Sequence, residues 1–198
     1  IHLAAMAGVR PSLENPHLYY DVNVTGTLNL MEACRASGVK RVLFASSSSV
    51  YGNNDKVPFS ASDAVDNPIS SYAATKKAGE LLCHNYHHLY GFSIACLRFF
   101  TVYGPRQRPD LAIHKFSRLL RSGRSIPSFG DGSTRRDYTY VSDTLQGILG
   151  ALEWVQEGGV RYDLFNLGES QTVELSTLVR LIGDALGVEP VLDRQPMQ

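Results

Sequence analysis

The stretch SSYAATKK, residues 70–77, decides how the rest of this 198-residue chain is interpreted. Tyr72 and Lys76 are four residues apart, and on a helix that spacing places both side chains on one face, close enough to act together. One of the two serines that open the stretch is predicted to cap the helix, which then runs to Gly91. Tyrosine and lysine are common on helix surfaces, so the meaning of this pair depends on what precedes it.

A short apolar run upstream of the helix, residues 41–45, is predicted to be a buried parallel strand. Four serines, Ser46 to Ser49, follow it directly, so hydroxyl groups stand at the carboxyl end of the strand. Ligands of open α/β sheets bind just beyond such ends. A row of hydroxyls there, followed by tyrosine and lysine on the next long helix, indicates a reaction centre.

Strands and long helices alternate along the rest of the chain, which predicts a parallel α/β architecture. Further strands are predicted over residues 1–5, 93–97, 126–129 and 162–167, and further helices over residues 20–37, 111–121, 142–156 and 174–186. Residues 13–20 are predicted to be an irregular connection. The composition changes after the Gly-Pro pair at 104–105 to a loop rich in arginine and proline, and a domain transition is predicted there.

Composition and charge narrow the function classes. The chain is 43% hydrophobic with 19 basic and 19 acidic side chains, which suits either one compact soluble domain or a large domain plus a small one. Zero net charge without a basic cluster argues against nucleic acid or a membrane surface as partner. There is also neither an apolar stretch long enough to span a bilayer nor a secretory signal. Cys34, Cys83 and Cys96 are scattered in apolar segments, so reduced thiols and a cytoplasmic location are expected.

Several motifs, taken in their order, resemble the extended short-chain dehydrogenase/reductases, in particular the nucleotide-sugar epimerases and dehydratases. Besides the serine-rich strand end and the tyrosine–lysine pair, these motifs are HLAA at 2–5, NVTGT at 23–27, RFFTVYGP at 98–105, FGDG at 129–132 and RDY at 136–138. The resemblance covers almost the whole chain. It implies a Rossmann-like doubly wound parallel sheet and a smaller substrate-binding α/β part.

The resemblance also implies a division of labour. Residues 1–104 would be the C-terminal part of the NAD-binding domain, and residues 105–198 would mainly bind a nucleotide sugar, with the strand near 162–168 returning to the first domain. The glycine-rich turn that holds a dinucleotide pyrophosphate is absent before the HLAA motif. The chain is therefore expected to be part of a longer enzyme.

Three residues are predicted to be catalytic: Ser47, Tyr72 and Lys76. Oxidising a sugar carbon needs a base at the hydroxyl, and an unperturbed tyrosine, with a pKa of about 10, is too weakly acidic for that task. A nearby lysine and a positively charged nicotinamide would both favour the phenolate. The resemblance gives Ser47 a hydrogen bond to the reacting oxygen, whereas its simpler interpretation is a hydroxyl that completes a strand end.

The resemblance implies NAD as the cofactor, and no metal is expected. Residues expected to contact NAD are Leu3, Ala4, Ala5, Asn23, Tyr72, Lys76 and Phe99. For Asn23, capping a helix N-terminus is an equally good interpretation. His84, His87 and His88 lie together on the Tyr72 helix, but without a carboxylate or cysteine at matching spacing they are interpreted as an exposed face.

Substrate recognition is expected from a second set of residues: Ser47, Ser48, Thr101, Arg108, Phe129 and Arg136. By resemblance, Arg136 would bind the nucleotide diphosphate and Phe129 would lie beside the uracil ring. Thr101 and Arg108 match residues that surround the sugar carboxylate in UDP-glucuronate 4-epimerases. The alternative for Arg108 is a solvated loop cation, and this chain departs from that subgroup at Met6 and in the pair before Arg108.

The sequence is therefore compatible with three functions. The first is NAD-dependent C4 epimerisation of UDP-glucuronate to UDP-galacturonate through a 4-keto intermediate. The second is 4-epimerisation of a neutral UDP-hexose or UDP-N-acetylhexosamine, and the third is a catalytically silent nucleotide-binding chain. Dehydration is disfavoured, because serines at 48 and 49 stand where 4,6-dehydratases carry an Asp-Glu pair. The family resemblance also implies a homodimer formed through the helices at 21–37 and 72–90.

Overall fold

The architecture is α/β, as expected, in a computed structural model that describes residues 1–195. The described helices are α1 (Val9–Glu14), α2 (Pro16–Tyr20), α3 (Gly26–Ser37), α4 (Ser71–Tyr90), α5 (Ala112–Arg121), α6 (Val141–Gln156) and α7 (Leu175–Leu186). The described strands are β1 (Arg41–Ser47), β2 (Ser93–Phe99), β3 (Thr101–Tyr103), β4 (Ile126–Phe129), β5 (Arg135–Tyr140), β6 (Tyr162–Leu167), β7 (Thr172–Glu174) and β8 (Leu192–Gln195).

The chain divides into two compact units. The first unit comprises Ile1–Phe100 and Thr144–Leu167, and the second comprises Thr101–Asp143 and the chain from Gly168 onward. The division falls within α6, whose first residues belong to the second unit and whose remainder belongs to the first.

A parallel sheet in the order β1-β2-β6 forms the centre of the first unit. Its register aligns Ser47 with Phe99 and Phe99 with Leu167, so the three strands end together. Successive side chains of a strand point to opposite faces. Phe44 accordingly packs in a core with residues of α3 and α4, while Leu43 packs in another with residues of α6. Both faces are covered, which explains why β1 and β2 read as continuous apolar runs.

Helix α4 begins and ends as its sequence predicts. The Ser70 hydroxyl accepts a hydrogen bond from the Ala73 amide at 3.1 Å, and Gly91 ends the helix in the left-handed conformation with φ of 65°. Gly79 lies against the Phe44 ring so closely that a Cβ there would collide with it. The absence of a side chain at Gly79 therefore lets α4 approach β1.

The second unit contains two small sheets. One has the order β3-β5-β7, with β3 and β5 parallel and β5 and β7 antiparallel, and the other pairs β4 with β8 in parallel. Helices α5 and α7 bury an apolar cluster with β4, formed by Phe116, Leu120, Ile126, Leu178, Val179 and Ile182.

Most of the predicted long elements are confirmed: the strands at 41–45, 93–97, 126–129 and 162–167, and the helices near 72–90, 111–121, 142–156 and 174–186. The helix predicted over 20–37 is also present, but its first turn, Asp21–Thr25, is π-helical. The strand predicted over 1–5 is wrong, because the segment makes only an isolated bridge from His2 to Phe44. This segment pairs only with β1, and the side chains of Ile1 and Leu3 are about 60% exposed. Few contacts are therefore present to stabilise a longer strand.

The irregular connection predicted over 13–20 is also wrong. It contains α2 and the end of α1, separated by Asn15, whose side chain accepts a hydrogen bond from the Leu18 amide at 3.3 Å. Pro16 then stands at the first helical position, where its missing N–H is not needed and its fixed φ suits the helix. A proline there starts a short helix rather than preventing one.

Candidate active site

Lys76 is a buried lysine whose ammonium group is held against β1. Its side chain is 5% exposed, and its Nζ donates a hydrogen bond to the Ala45 carbonyl oxygen at 2.8 Å. Nζ also lies 5.4 Å from the centre of the Phe44 ring. Burial lowers the pKa of Lys76 to about 8. Lys76 therefore places an ammonium group with a lowered pKa directly beside the carboxyl end of β1.

Tyr72 lies one turn earlier on the same face of α4, as the spacing predicts. The Lys76 Nζ is 5.9 Å from the centre of the Tyr72 ring, so the ammonium group lies close to the aromatic face. The ring also meets Tyr19 edge to face at 6.2 Å, and it is half-buried. The structure thus brings Tyr72 and Lys76 together at the end of β1.

Ser47 is the last residue of β1 and is buried. Its hydroxyl oxygen accepts a hydrogen bond from the Ser49 amide at 3.2 Å and so caps the 3₁₀ turn Ser48–Tyr51. This is the simpler role considered from the sequence, and the hydroxyl performs it as an acceptor. The contact does not use the hydroxyl proton, so the catalytic role stays compatible with it. Ser48, in the turn itself, is partly exposed.

Asn23 fastens the segment after the HLAA motif to the rest of the unit. Its side-chain oxygen accepts from the Met6 amide at 2.8 Å, and its Nδ2 donates to the Met6 carbonyl and to the Thr75 hydroxyl, each at 3.0 Å. The interpretation of Asn23 as a helix cap is wrong, because the residue lies inside the π-helical turn. Thr75 precedes Lys76, so Asn23 links Met6 to the helix that carries the candidate catalytic pair.

The remaining candidate cofactor residues lie in the same unit. Leu3 and Ala4 are exposed and Ala5 is partly exposed, next to the bridge that His2 makes with β1. Phe99 is the last residue of β2 and the register partner of Ser47. These small or exposed groups leave the carboxyl ends of β1 and β2 approachable.

The candidate substrate residues other than Ser47 and Ser48 belong to the second unit. Thr101 starts β3, paired with Tyr138, and Phe129 ends β4, paired with Gln195. A cavity of about 660 Å³ in this unit is lined by other residues, among them Tyr103, His114 and Tyr140. The candidate substrate residues of this unit are thus distributed over separate strands and a loop.

Arg135 and Arg136 are adjacent in sequence but differ in what they contact. The Arg135 guanidinium is bound by β7, donating to the Thr172 hydroxyl at 2.7 Å and to the Glu174 carboxylate at 2.7 Å. Arg136, the residue predicted to bind a diphosphate, is exposed and donates to the Arg135 carbonyl at 3.1 Å. Arg135 therefore holds β7 against its neighbouring strand, whereas the charge of Arg136 remains exposed.

Arg108 forms a two-pronged ion pair with Asp110, whose carboxylate oxygens lie 3.1 Å and 2.9 Å from its Nε and Nη2. Both side chains are exposed, at 47% and 65%. The neighbouring Gln107 holds the loop through its side chain, donating to the Val102 carbonyl at 3.0 Å. Arg108 therefore stands on an anchored loop with its planar fork facing Asp110.

A buried polar network beside this site was missed by the sequence reasoning. Arg98 and Glu80 form an ion pair, 2.8 Å between Nε and Oε1, with side chains 1% and 2% exposed. Burial alone would lower the pKa of Arg98, but the hydrogen bonds that its guanidinium donates to Glu80 and Tyr51 outweigh this effect and raise that pKa above its ordinary value. The sequence does contain a sign of this pair, because each charged residue stands where a buried side chain is expected. Glu80 lies four residues beyond Lys76, and Arg98 directly follows a buried apolar strand segment.

Two of the three histidines of α4, His84 and His87, contact the Tyr162 ring, and His84 and His88 are exposed. His84 meets Tyr162 edge to face at 5.1 Å, and Nδ1 of His87 lies 2.9 Å from the Phe92 carbonyl oxygen. Within residues 1–195 there is no group of three histidine, cysteine or acidic side chains arranged to hold a metal ion. Among the same residues, no helix is both long and apolar enough to cross a membrane.

A parallel α/β sheet with serine at a strand end and a tyrosine–lysine pair on the adjoining helix defines the short-chain dehydrogenase/reductase class. The model of the NAD dependent epimerase/dehydratase family matches residues 1–168. The chain belongs to this family, as the motifs predicted.

Three similar proteins illustrate the relationship. UDP-glucuronate 4-epimerase 3 of Arabidopsis thaliana is 45% identical over 202 residues, which covers 96% of this chain and 47% of the plant protein. The UDP-glucuronic acid 4-epimerase of Bacillus cereus, solved with UDP-glucuronic acid and NAD, is 33% identical with a TM-score of 0.91, covering 100% of this chain and 62% of that one. A UDP-N-acetylglucosamine 4-epimerase from Methanobrevibacter ruminantium M1, solved with UDP-N-acetylmuramic acid, is 31% identical with a TM-score of 0.92, covering 100% and 63%. The chain thus spans about half to two thirds of the length of these relatives.

Proposed function

We propose that the protein carrying this chain catalyses the NAD-dependent C4 epimerisation of UDP-glucuronate to UDP-galacturonate. The observation that carries this proposal is the buried Lys76 ammonium beside Tyr72 at the carboxyl end of β1. In this nearly water-free site the charge of the ammonium group is weakly screened, so it favours the phenolate form of a neighbouring tyrosine.

Each of the three residues has a separate task in this proposal. Tyr72 removes the proton of the sugar C4 hydroxyl as the carbon is oxidised and returns a proton when the 4-keto intermediate is reduced on its other face. Lys76 lowers the cost of the phenolate, and Ser47 donates its hydroxyl proton to the reacting oxygen. Bound NAD would accept the C4 hydride and give it back, so the reaction consumes no external oxidant.

The first unit offers groups that fit NAD. In the run from Leu3 to Ala5, the small side chains of Ala4 and Ala5 would allow a flat ring to approach the backbone, and Asn23 keeps the following residue in place. Lys76 would reach the ribose hydroxyls, and Phe99 would line the nicotinamide side. We assign the NAD-binding role to the first unit and the nucleotide-sugar-binding role mainly to the second.

The sugar is proposed from the relatives and from one loop. Relatives named UDP-glucuronate 4-epimerase are 45% identical to this chain, and Arg108 on its anchored loop supplies a planar cation suited to a carboxylate. Thr101 and Ser48 would contact the sugar, Arg136 the diphosphate and Phe129 the uracil ring. To receive a substrate carboxylate, the Arg108 fork would exchange Asp110 for it or share the two.

A neutral or N-acetylated UDP-sugar is the second candidate. It is supported by the likeness to the Methanobrevibacter ruminantium enzyme, which is named as a UDP-N-acetylglucosamine 4-epimerase. A neutral C6 hydroxymethyl group gives little reason for a guanidinium, so Arg108 distinguishes the two candidates.

We further propose that the protein is a homodimer of the cytoplasm. Apolar side chains exposed on α3 and α4 support the dimer, among them Leu28, Leu30, Leu81 and Leu89, with exposed fractions from 36% to 60%. Cys34, Cys83 and Cys96 are free thiols, which supports a reducing compartment.

The direct test is an assay of the full-length protein with NAD and, separately, UDP-glucuronate, UDP-glucose and UDP-N-acetylglucosamine. We expect UDP-galacturonate as the product with the highest kcat/KM. Preference for a neutral sugar would replace the substrate and keep the reaction class. Binding of NAD and UDP-sugars without turnover of any of them would favour the catalytically silent alternative.

A further inference from the structure

Helix α4 carries a third buried functional group in line with the candidate catalytic pair. Glu80 lies one turn beyond Lys76 and two turns beyond Tyr72, so the three side chains share one side of the helix. Its carboxylate is 2% exposed and accepts hydrogen bonds from Ser46, at 2.6 Å, and from Arg98, at 2.8 Å and 2.9 Å. A buried carboxylate with this many donors is fixed in position.

The hydrogen-bond partners of the Glu80–Arg98 pair flank Ser47 along the chain. Ser46, which donates to Glu80, directly precedes it. Tyr51 lies at the end of the 3₁₀ turn that Ser47 caps, and its hydroxyl accepts from the Arg98 guanidinium at 2.9 Å. The backbone that carries Ser47 is therefore tied to the Glu80–Arg98 pair both before and after this residue.

The network continues to the third strand of the sheet. The Tyr51 hydroxyl donates to the Asn166 side chain at 2.6 Å, and Asn166 donates in turn to the Phe59 carbonyl at 3.0 Å. Arg98 also donates to the Ala61 carbonyl at 3.1 Å. The ends of β1, β2 and β6 and the loop around residues 59–61 are thus connected to α4 through one ion pair.

We infer that the Glu80–Arg98 pair, acting through the Ser46 hydroxyl, is a positioning device that sets the distance between Ser47 and Tyr72. Ser47 is on the sheet and Tyr72 is on the helix, so their separation depends on how α4 sits against β1. The Glu80 carboxylate on α4 accepts a hydrogen bond from Ser46, the residue next to Ser47 on β1. This inference rests on the proposed function for its kinetic consequence, but the geometric consequence does not.

The informative variant is Ser46→Ala in the full-length protein with NAD. It removes the link to the strand while the Glu80–Arg98 pair stays intact, so it avoids the bare buried charge that Glu80→Gln would leave. We expect kcat to fall about tenfold or more with KM for UDP-glucuronate changed less than about twofold, because the substrate still binds while the proton donor and base are misaligned. Ser46→Thr, which keeps the hydroxyl, should restore most of kcat.

Ile94→Val, in the apolar core on β2, is the control for lost stability. It should lower the melting temperature without changing kcat. If Ile94→Val loses as much kcat as Ser46→Ala for a similar fall in melting temperature, or if kcat of Ser46→Ala equals that of the wild type, the positioning role is refuted.

A second readout separates this inference from the proposed function. Crystal structures of the wild type and of Ser46→Ala should show a longer distance between the Ser47 and Tyr72 hydroxyl oxygens in the variant. If the wild type epimerises none of the three sugars, the proposed function fails and this distance alone decides the inference. An unchanged distance would overturn it whatever the activity.

Discussion

At the scale of single residues, the tyrosine of the catalytic pair makes the sharpest prediction. Tyr72→Phe removes one oxygen atom and with it the base, so we expect kcat to fall about 100- to 10,000-fold, the usual range for a lost acid–base group. Binding of the UDP-sugar should stay close to normal. Steady-state kinetics and calorimetric titration of the full-length protein measure both quantities. Tyr90→Phe, at the other end of α4, is the matched control, and near-normal kcat in Tyr72→Phe would exclude Tyr72 as the base.

Lys76 predicts an unusual dependence of stability on pH. Burial lowers the pKa of Lys76 from 10.5 to about 8. Below pH 8 this lysine is therefore charged in both the folded and the unfolded chain, and the folded state carries the full free-energy cost of burying the charge. Between pH 8 and 10.5 the unfolded chain binds more protons, so the stability contributed by this group rises with pH. The cost at pH 7 is about 3 kcal/mol by this linkage.

Lys76→Met should therefore raise the free energy of unfolding at pH 7 by about 1–2 kcal/mol, since it removes the cost of the charge but also the hydrogen bond to Ala45. It should also flatten the rise between pH 8 and 10.5. Urea unfolding of the protein without NAD at pH 7 and pH 9.5 measures both effects. Lys77→Met, at the neighbouring and more exposed position, is the control. An unchanged pH slope in Lys76→Met would contradict the lowered pKa.

Arg108 tests the identity of the sugar. If it binds the carboxylate of UDP-glucuronate, Arg108→Ala removes one partner of a desolvated pair, which costs about 2–5 kcal/mol. Its exposed pair with Asp110 is worth only about 0–1 kcal/mol. We expect kcat/KM for UDP-glucuronate to fall steeply while any activity on UDP-glucose changes little.

Arg180→Ala is the matched control for Arg108→Ala, because Arg180 also forms an exposed pair with an aspartate, Asp184, at 3.3 Å. It should leave kcat/KM for both sugars unchanged. Equal losses on both sugars in Arg108→Ala would assign that residue to support of its loop.

At the scale of elements, Gly79 is the residue that lets α4 approach β1 closely. A Cβ at Gly79 would collide with the Phe44 ring, so Gly79→Ala should push the helix away from the strand and cost about 1–3 kcal/mol. Gly150 on α6 has open space around its position, and Gly150→Ala should instead stabilise the protein by about 0.5–1 kcal/mol. Denaturant unfolding of the two variants measures the difference. A stabilising Gly79→Ala would mean that the helix is not in contact there.

The sequence predicts elements well where one physical signal dominates. β1 and β2 are continuous apolar runs, and α4 has a serine cap and a terminal glycine, so each was identified close to its observed bounds. The strand β5 and the short strands β3, β7 and β8 were missed. Three or four residues carry too little periodicity to distinguish a strand from a loop, and their pairing depends on partners distant in sequence.

The candidate site was predicted from local spacing, and its missed part is non-local. Tyr72 and Lys76 belong to one helix, so their proximity follows from the sequence alone. The contact of Glu80 with Ser46 and Arg98 joins residues 34 and 18 positions apart and requires the packing of α4 on the sheet. Similarly, only the structure shows that Asn23 hydrogen-bonds Met6, because the contact joins residues 17 positions apart and depends on the π-helical turn that carries Asn23.

At the scale of the whole molecule, the exposed apolar side chains of α4 test the proposed dimer. Leu81 is 60% exposed, and Leu81→Glu would place a charge within an interface formed by this helix. We expect the full-length variant to elute as a monomer while the wild type is a dimer, measured by size-exclusion chromatography with light scattering. Leu149→Glu on α6, where the leucine is 57% exposed, should leave the dimer intact. A wild-type monomer would refute the proposal.

The ion pair between Glu80 and Arg98 also restricts how this protein can evolve. Replacing either partner alone leaves a bare charge in the interior, at a cost of about 3–5 kcal/mol, which is a large part of the stability of an ordinary domain. A lineage can therefore leave this arrangement only by two changes made almost together, or after other substitutions have first added stability. Residues 80 and 98 should therefore change together in evolution. The strand ends that they connect should diverge more slowly than the rest of the chain.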